Sequence, residues 1–204
     1  MIIDLEQTER SPVDVDYDVC ISGAGVAGIT LAKHLADGGR RVLVLEGGGL
    51  EYSERSQDVY KGPILGREYF DLDVARLRYL GGTSNHWGGW CRPLDASDFL
   101  DRPAIPGAGW PIDRSDLDPY LKPASAILEI EDFPDDRILP GSSQKLKEIT
   151  FRFSKVRFKD KYLDYLQSSE SVTVLTNANL IDILLDTERG EVSSFLGSEP
   201  NLTY

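Results

Sequence analysis

The sequence predicts an α/β fold that starts with a βαβ unit and finishes with a β-hairpin. Residues 17–22 and 41–46 are two short apolar runs of the kind that form buried parallel strands. Between them, apolar residues recur at helical spacing over residues 26–36, and the pair Gly38-Gly39 then ends the helix. A strand, a glycine turn, a helix and a second strand within about 30 residues make one βαβ unit.

The composition is that of a soluble globular protein. A hydrophobic content of 41% in 204 residues is enough to build a core. The net charge of -12 disfavours nucleic acid and anionic membrane surfaces as partners, because both attract clustered Lys and Arg. No apolar stretch has the length of a signal peptide or a membrane span. Cys20 and Cys91 match no metal-binding spacing, so we expect no metal site. They also suggest no disulfide framework, which fits a reducing compartment, and we expect a cytoplasmic location.

The elements outside the βαβ unit follow from weaker signals. We expect a polar lead-in over residues 1–15 and a single domain over residues 16–204. Residues 81–90 form a loop rich in glycine and aromatic residues, and residues 93–111 carry several prolines and form irregular chain.

The remaining elements lie in the second half of the chain. Apolar spacing predicts helices at 116–130, with Ser115 as its cap, at 144–149 and at 160–166. Alternating or continuous apolar residues predict strands at 151–156 and 172–175, and a hairpin with strands 180–185 and 192–196 around a turn at 187–190.

The turn of the βαβ unit has the pattern of a dinucleotide-binding site. Gly23 to Gly28 read G-x-G-x-x-G between a strand and a helix, which is the context that this fingerprint requires. Gly23 permits the tight turn, Gly25 lets the backbone approach a pyrophosphate, and Gly28 lets the helix pack closely. The free N–H groups at the start of the helix, at Val26 and Ala27, favour phosphate.

An acidic residue follows at the end of the second strand. Glu46 lies 18 residues after Gly28 and can accept hydrogen bonds from a ribose diol, while its charge disfavours the 2′-phosphate of NADP. Gly47 begins a three-glycine turn behind it. This unit at the start of the chain, together with a second glycine-rich loop downstream, favours FAD over NAD.

That second loop carries a resemblance to a known family. The segment from Arg78 to Gly89, RYLGGTSNHWGG, resembles the flavin-contacting loop of the glucose–methanol–choline (GMC) oxidoreductases. Its His-Trp pair is similar to the branch that contains pyranose 2-oxidase-like enzymes and bacterial sugar and glycoside dehydrogenases. The stretches 16–49, 109–120 and 172–180 also resemble segments of the family.

The resemblance implies a Rossmann-like FAD-binding domain of GMC type and a set of cofactor contacts. Glycines in the loop let the backbone lie against the isoalloxazine and direct N–H groups at it, which stabilises the reduced flavin. Together with the first turn, the residues that we expect to contact FAD are Gly23, Gly25, Val26, Ala27, Gly28, Glu46, Gly47, Arg78, Gly81, Gly82, Thr83, Asn85, His86, Trp87, Gly88 and Leu180, the last through the backbone at the adenine.

His86 has three interpretations. The matching histidine in pyranose 2-oxidase-like enzymes is bonded covalently to the flavin, so the resemblance implies such a bond here. The residue before it, Asn85, departs from that pattern, and non-covalent contact with the flavin or a structural role are the alternatives.

The resemblance also implies the reaction. Enzymes of this family oxidise CH–OH groups, and here the substrate would be a sugar or glycoside whose hydride passes to flavin N5. The family's base is a histidine near the C-terminus, and this chain has no histidine after His86, so we leave the catalytic residues unassigned. We therefore expect an incomplete enzyme that lacks the closing strand and the substrate domain and is inactive alone.

Two other functions stay open. The chain could be a non-catalytic FAD-binding subunit or a remnant that needs a partner chain or an electron acceptor. It could also belong to another class of FAD enzyme, such as a monooxygenase or an amine oxidase, although that class gives no reason for the loop at 78–89.

Overall fold

The computed structural model describes residues 1–8, 16–105, 107–134, 136–141, 146–188 and 191–198, the last group by its backbone and the side chain of Val192 only. The chain divides into two compact units. The first contains residues 1–86 and 157–204, and the second contains residues 87–156. The single domain predicted over residues 16–204 stays a prediction.

Strands and short helices alternate along the chain. The strands are β1 (Ile2–Asp4), β2 (Val19–Ser22), β3 (Val42–Leu45), β4 (Trp90–Cys91), β5 (Arg137–Ile138), β6 (Lys147–Glu148), β7 (Arg152–Phe153), β8 (Val172–Thr176), β9 (Asn179–Asp186) and β10 (Glu191–Ser198). The α-helices are α1 (Val26–Asp37), α2 (Glu54–Gln57), α3 (Leu72–Ala75), α4 (Arg114–Leu128) and α5 (Phe158–Ser168). No helix within the described residues is long and apolar enough to cross a membrane.

A parallel sheet forms the centre of the first unit. Its four strands lie in the order β1-β8-β3-β2, and every neighbouring pair is parallel. All residues of β3 and β8 are buried, which explains the unbroken apolar run of β3 and the mostly apolar sequence of β8. The predicted βαβ unit is thereby confirmed, with α1 joining β2 to β3. The fold is that of a Rossmann-like α/β domain.

The start of the chain is part of this sheet. Ile2–Asp4 forms the edge strand β1, which pairs in parallel with β8, so the polar lead-in predicted over residues 1–15 is wrong for these three residues. The Met1 ammonium group donates to the carbonyl oxygens of Leu166, Ser169 and Val172 at 2.7, 3.0 and 2.7 Å. Residues 9–15 of that predicted segment lie outside the described residues.

Helix α5 and the late hairpin complete the first unit. In α5 the residues Phe158, Tyr162 and Leu166 are buried at intervals of four, so one helical face packs on the core. The predicted hairpin is confirmed as the antiparallel pair β9–β10, with residues 189 and 190 of its turn outside the described part.

The second unit contains α4 and two pairings of two-residue strands, β4–β7 and β5–β6. The N-cap of α4 is Asp113, whose carboxylate accepts from the Ser115 backbone N–H at 2.7 Å. Asp116 completes a capping box with it. The prediction of Ser115 as the cap is therefore wrong. Lys147–Glu148 is a strand paired with β5, so the helix predicted at 144–149 is wrong there, and residues 144 and 145 are outside the described part.

Candidate dinucleotide site

The first unit brings the two glycine-rich segments into direct contact. The backbone N–H of Gly81 donates to the carbonyl oxygen of Ala24 at 2.8 Å. A methyl group placed on Gly82 would lie 3.2 Å from the Cα atom of Gly25. Residues almost 60 positions apart in sequence are therefore neighbours.

The first turn lies at the carboxyl edge of the sheet, where ligands of open α/β folds bind. Gly23 has a φ of +95° and donates its N–H to the Leu45 carbonyl oxygen at 2.7 Å, which closes the turn. A Cβ on Gly28 would lie 1.9 Å from the Gly23 carbonyl oxygen. The predicted roles of these two glycines, the tight turn and the close helix packing, are confirmed.

Gly25 differs from both of them. Its φ is -83°, which any residue adopts, and a Cβ there would meet no protein atom within 4 Å. It is the N-cap of α1 and offers no side chain to the free N–H groups of the first turn at Val26 and Ala27. Neither backbone strain nor protein packing requires glycine here, whereas a phosphate resting on the helix start would require it.

The Glu46 carboxylate holds the first turn through hydrogen bonds to backbone N–H groups. The residue is 6% exposed, and its two carboxylate oxygens accept from the backbone N–H groups of Ala24 at 2.7 Å and of Gly48 at 2.8 Å. Each oxygen keeps a second lone pair for another donor. The carboxylate therefore fixes both glycine turns that flank the cavity, and its predicted bond to a ribose diol stays a prediction.

Arg78 connects three segments around the same place. Its guanidinium group donates to the Gly47 carbonyl oxygen at 2.6 Å, to Ser56 Oγ at 2.8 Å, and to Asn179 Oδ1. A Cβ on Gly47 would collide with the guanidinium group at 2.0 Å. The stricter requirement is at the next residue, because a Cβ on Gly48 would lie 2.0 Å from the backbone carbonyl oxygen of Arg78.

These residues surround a cavity of about 240 Å³. It is lined by Ser22, Gly23, Leu45, Glu46, Gly47, Tyr60, Arg78, Ala178, Asn179 and Leu180. Five of the predicted contacts are in that lining, including Leu180 at its far end. Asn179 was missed as a site residue, because its partner Arg78 lies 101 residues away and no local pattern signals that contact.

A larger cavity, of about 700 Å³, lies in the second unit. It is lined by Phe99, Trp110 and the start of α4, and by no residue predicted to contact the cofactor. The smaller cavity is the stronger candidate, because Gly23 of the first turn and the Glu46 carboxylate line it.

The second loop is held by its own polar side chains. Gly81 and Gly82 have φ values of +89° and +55°. Ser84 Oγ donates to the Gly81 carbonyl oxygen at 2.7 Å and accepts from the Phe158 N–H at 3.1 Å, and Asn85 Nδ2 donates to the Leu80 carbonyl oxygen at 2.9 Å.

Thr83 Oγ1 accepts from the Leu77 backbone N–H at 3.3 Å. Side chains of this loop that were expected to serve the flavin therefore also fix the loop itself. Their contacts with a flavin stay predictions.

His86 is the exposed end of this loop. Its backbone N–H donates to the Thr83 carbonyl oxygen at 3.2 Å, and within the described residues no group pairs with its imidazole. The boundary between the units follows it, so Trp87 and Gly88 belong to the second unit. There, Trp87 Nε1 donates to the Val156 carbonyl oxygen at 2.9 Å.

The first unit therefore fits the adenosine diphosphate part of a dinucleotide. The open position on Gly25, the uncapped start of α1 and the Glu46 carboxylate are the groups that a pyrophosphate and a ribose use. Within the described residues no cluster of metal-binding side chains occurs.

Comparison with known proteins identifies a similar fold. Neither a protein-family model nor a curated protein matches the sequence. Among solved structures, the chain is similar to pyridoxine 4-oxidase from Mesorbium loti, with 18% identity and a TM-score of 0.52. The match covers 91% of this chain and 47% of that enzyme, so the chain spans about half of its length. At this identity the similarity supports the assignment of the fold alone.

Proposed function

We propose that the chain binds FAD and serves a flavin-dependent oxidoreductase. The observation that carries the proposal is the contact between the two glycine segments, Gly81 to Ala24. One ligand with a phosphate-linked adenosine at one end and a flat ring at the other matches that arrangement. The adenosine end would lie in the cavity beside Glu46 and Leu180, and the pyrophosphate on the start of α1.

The reaction that we propose is oxidation of a CH–OH group of a sugar or glycoside. Bound FAD would accept the hydride of the substrate carbon. The chain's own contribution is to hold the adenosine diphosphate at the first turn and to present backbone N–H groups and His86 at the second loop. A covalent bond through His86 is supported by the exposure of its side chain and by the lack of a partner for its imidazole among the residues that the structure describes.

Membership of the GMC oxidoreductases is part of the proposal. It is supported by the loop at 78–89 and by the similarity to the fold of pyridoxine 4-oxidase, a GMC enzyme. The substrate of that oxidase is pyridoxine and not a sugar. Our proposal of a sugar substrate is therefore supported only by the His-Trp pair in the loop at 78–89. The cytoplasmic location that we propose is supported by the two isolated cysteines, which suggest no disulfide framework.

A second candidate function is an FAD-binding subunit that works with a partner chain or an electron acceptor. It is supported by the extent of the structural match, which covers 47% of the oxidase. A substrate-binding partner that copurifies with the chain would favour this function.

The test is an absorption spectrum of the purified protein, followed by identification of the released cofactor. We expect flavin bands and FAD. Recovery of NAD in stoichiometric amount, or of protein that does not bind added FAD, would refute the proposal. Because the chain is expected to be inactive alone, glucosides and amines should both leave the bound flavin oxidised in this sample.

A further inference from the structure

One face of the β4–β7 ribbon consists only of aromatic side chains. Trp90 lies opposite Phe153 in the antiparallel register, and Phe151 precedes Phe153 by two residues, so all three point to the same side. The ring centroids of Trp90 lie 3.9 Å from those of Phe153 and 5.6 Å from those of Phe151. We call these three side chains the aromatic face.

The aromatic face is open within the second unit. Trp90, Phe151 and Phe153 are 63%, 43% and 53% exposed. The opposite side of the ribbon is occupied, because Cys91 Sγ donates to the Gly89 carbonyl oxygen at 3.3 Å and Arg152 donates to the Asp132 carbonyl oxygen at 3.0 Å. Burial raises the pKa of the Cys91 thiol, while the Arg152 guanidinium pairs with the Glu131 carboxylate at 3.0 Å.

The indole of Trp90 keeps its polar group available. Within the described part of the chain, no residue accepts a hydrogen bond from its Nε1, whereas the indole of Trp87 donates to Val156. The Trp90 ring also leans on the predicted flavin loop, because a Cβ on Gly88 would lie 3.0 Å from its Cδ1 atom. The aromatic face thus lies next to Gly88, a residue that we expect to contact the flavin.

We infer that the aromatic face binds the pyranose ring of a carbohydrate. The C–H groups on one side of such a ring stack on aromatic rings, and its hydroxyl groups accept from an indole N–H. A wholly aromatic surface without Leu, Ile or Val suits stacking better than general apolar packing. That the aromatic face binds a sugar is independent of the cofactor. That this sugar is the substrate rests on the proposed function, because it requires a flavin bound at Gly88.

The experiment is saturation-transfer NMR on the purified chain with methyl β-D-glucopyranoside. We expect transfer to the ring protons of the glucoside. Trp90→Ala and Phe153→Leu should each weaken binding about tenfold, because each removes an aromatic stacking partner. Phe153→Leu keeps an apolar side chain at this position, so it distinguishes aromatic stacking from general hydrophobic contact. It also tests the inference if Trp90→Ala fails to fold.

Trp110→Ala is the matched control. Trp110 is a second exposed tryptophan of the same unit, 56% exposed and outside the aromatic face, and its loss should leave glucoside binding unchanged. Absence of transfer in the wild type, or equal binding by Trp90→Ala, would overturn the inference. So would binding of pyridoxine without binding of the glucoside, since the ligand would then be an aromatic alcohol.

A flavin absorbance titration on the same sample separates the two proposals. If FAD binds and the glucoside does not, the carbohydrate inference fails and the proposed cofactor stands. If the glucoside binds through Trp90 and FAD does not, the aromatic face stands as a carbohydrate site and the proposed oxidoreductase fails.

Discussion

The first glycine turn and the second glycine loop use glycine for different reasons. In the first turn, Gly28 is required by a neighbouring carbonyl oxygen, while Gly25 faces empty space with ordinary dihedral angles. In the second loop, Gly81 and Gly82 both adopt positive φ, and polar side chains fix the loop to itself. The groups left for a ligand are therefore backbone N–H groups in the first turn and His86 in the second loop.

The largest expected effect comes from breaking the first turn at its packing glycine. Gly28→Ala places a Cβ 1.9 Å from the Gly23 carbonyl oxygen, and neither backbone segment can yield cheaply. We expect the free energy of unfolding to fall by about 3 kcal/mol in urea denaturation followed by circular dichroism. Gly62→Ala, whose Cβ meets no atom within 4 Å, is the control. Equal stability of the two variants would show that helix α1 does not pack on the turn this closely.

The next largest loss of stability is expected at Arg78, which connects the glycine segments to Asn179 of the hairpin. Arg78→Lys loses the planar fork that reaches Gly47, Ser56 and Asn179 together. We expect a loss of about 2 kcal/mol in unfolding free energy. Arg67→Lys, at an exposed position, should change nothing measurable. An unaltered melting curve for Arg78→Lys would mean that the three contacts do not act together.

A smaller effect, on binding alone, is expected at Gly25. Gly25→Ala should leave stability within about 0.5 kcal/mol of the wild type, because the new methyl group meets no protein atom. It should weaken FAD binding by about tenfold or more, since the methyl group occupies the approach to the pyrophosphate. Calorimetric titration measures this, with Gly62→Ala as the control. Identical FAD affinity in both variants would place the phosphates elsewhere.

The smallest effect on stability is expected at His86. The exposed imidazole has no partner within the described residues, so His86→Ala should change the unfolding free energy by less than about 0.5 kcal/mol. Its effect should be chemical. Yellow colour should remain with the acid-precipitated wild type and leave with the supernatant of the variant. A wild type that loses its colour in acid would exclude the covalent bond and leave the non-covalent contact.

Local patterns were sufficient for the first turn. The βαβ unit, its three glycines and Glu46 follow one another within 30 residues, and apolar periodicity with glycine spacing locates them. The contact between Gly81 and Ala24 was expected only through a shared ligand, and the structure shows it as a direct hydrogen bond.

Long-range pairing accounts for most of what was missed. Strand β1 has two isoleucines as its only apolar residues, and it exists because β8, some 170 residues away, offers a free edge. Asn179 reaches the cavity because Arg78 binds it across 101 residues. The cap of α4 was misplaced for a local reason, since Asp113 and Ser115 are both good caps and only the geometry decides between them.

The central claim is that one dinucleotide touches both glycine regions, and titration of the same sample with FAD, FMN and ADP tests it most directly. Because FAD joins the two ends covalently, we expect it to bind at least about a hundredfold more tightly than either FMN or ADP. FMN that binds as tightly as FAD would contradict the account, because the adenosine would then have no place at the first turn.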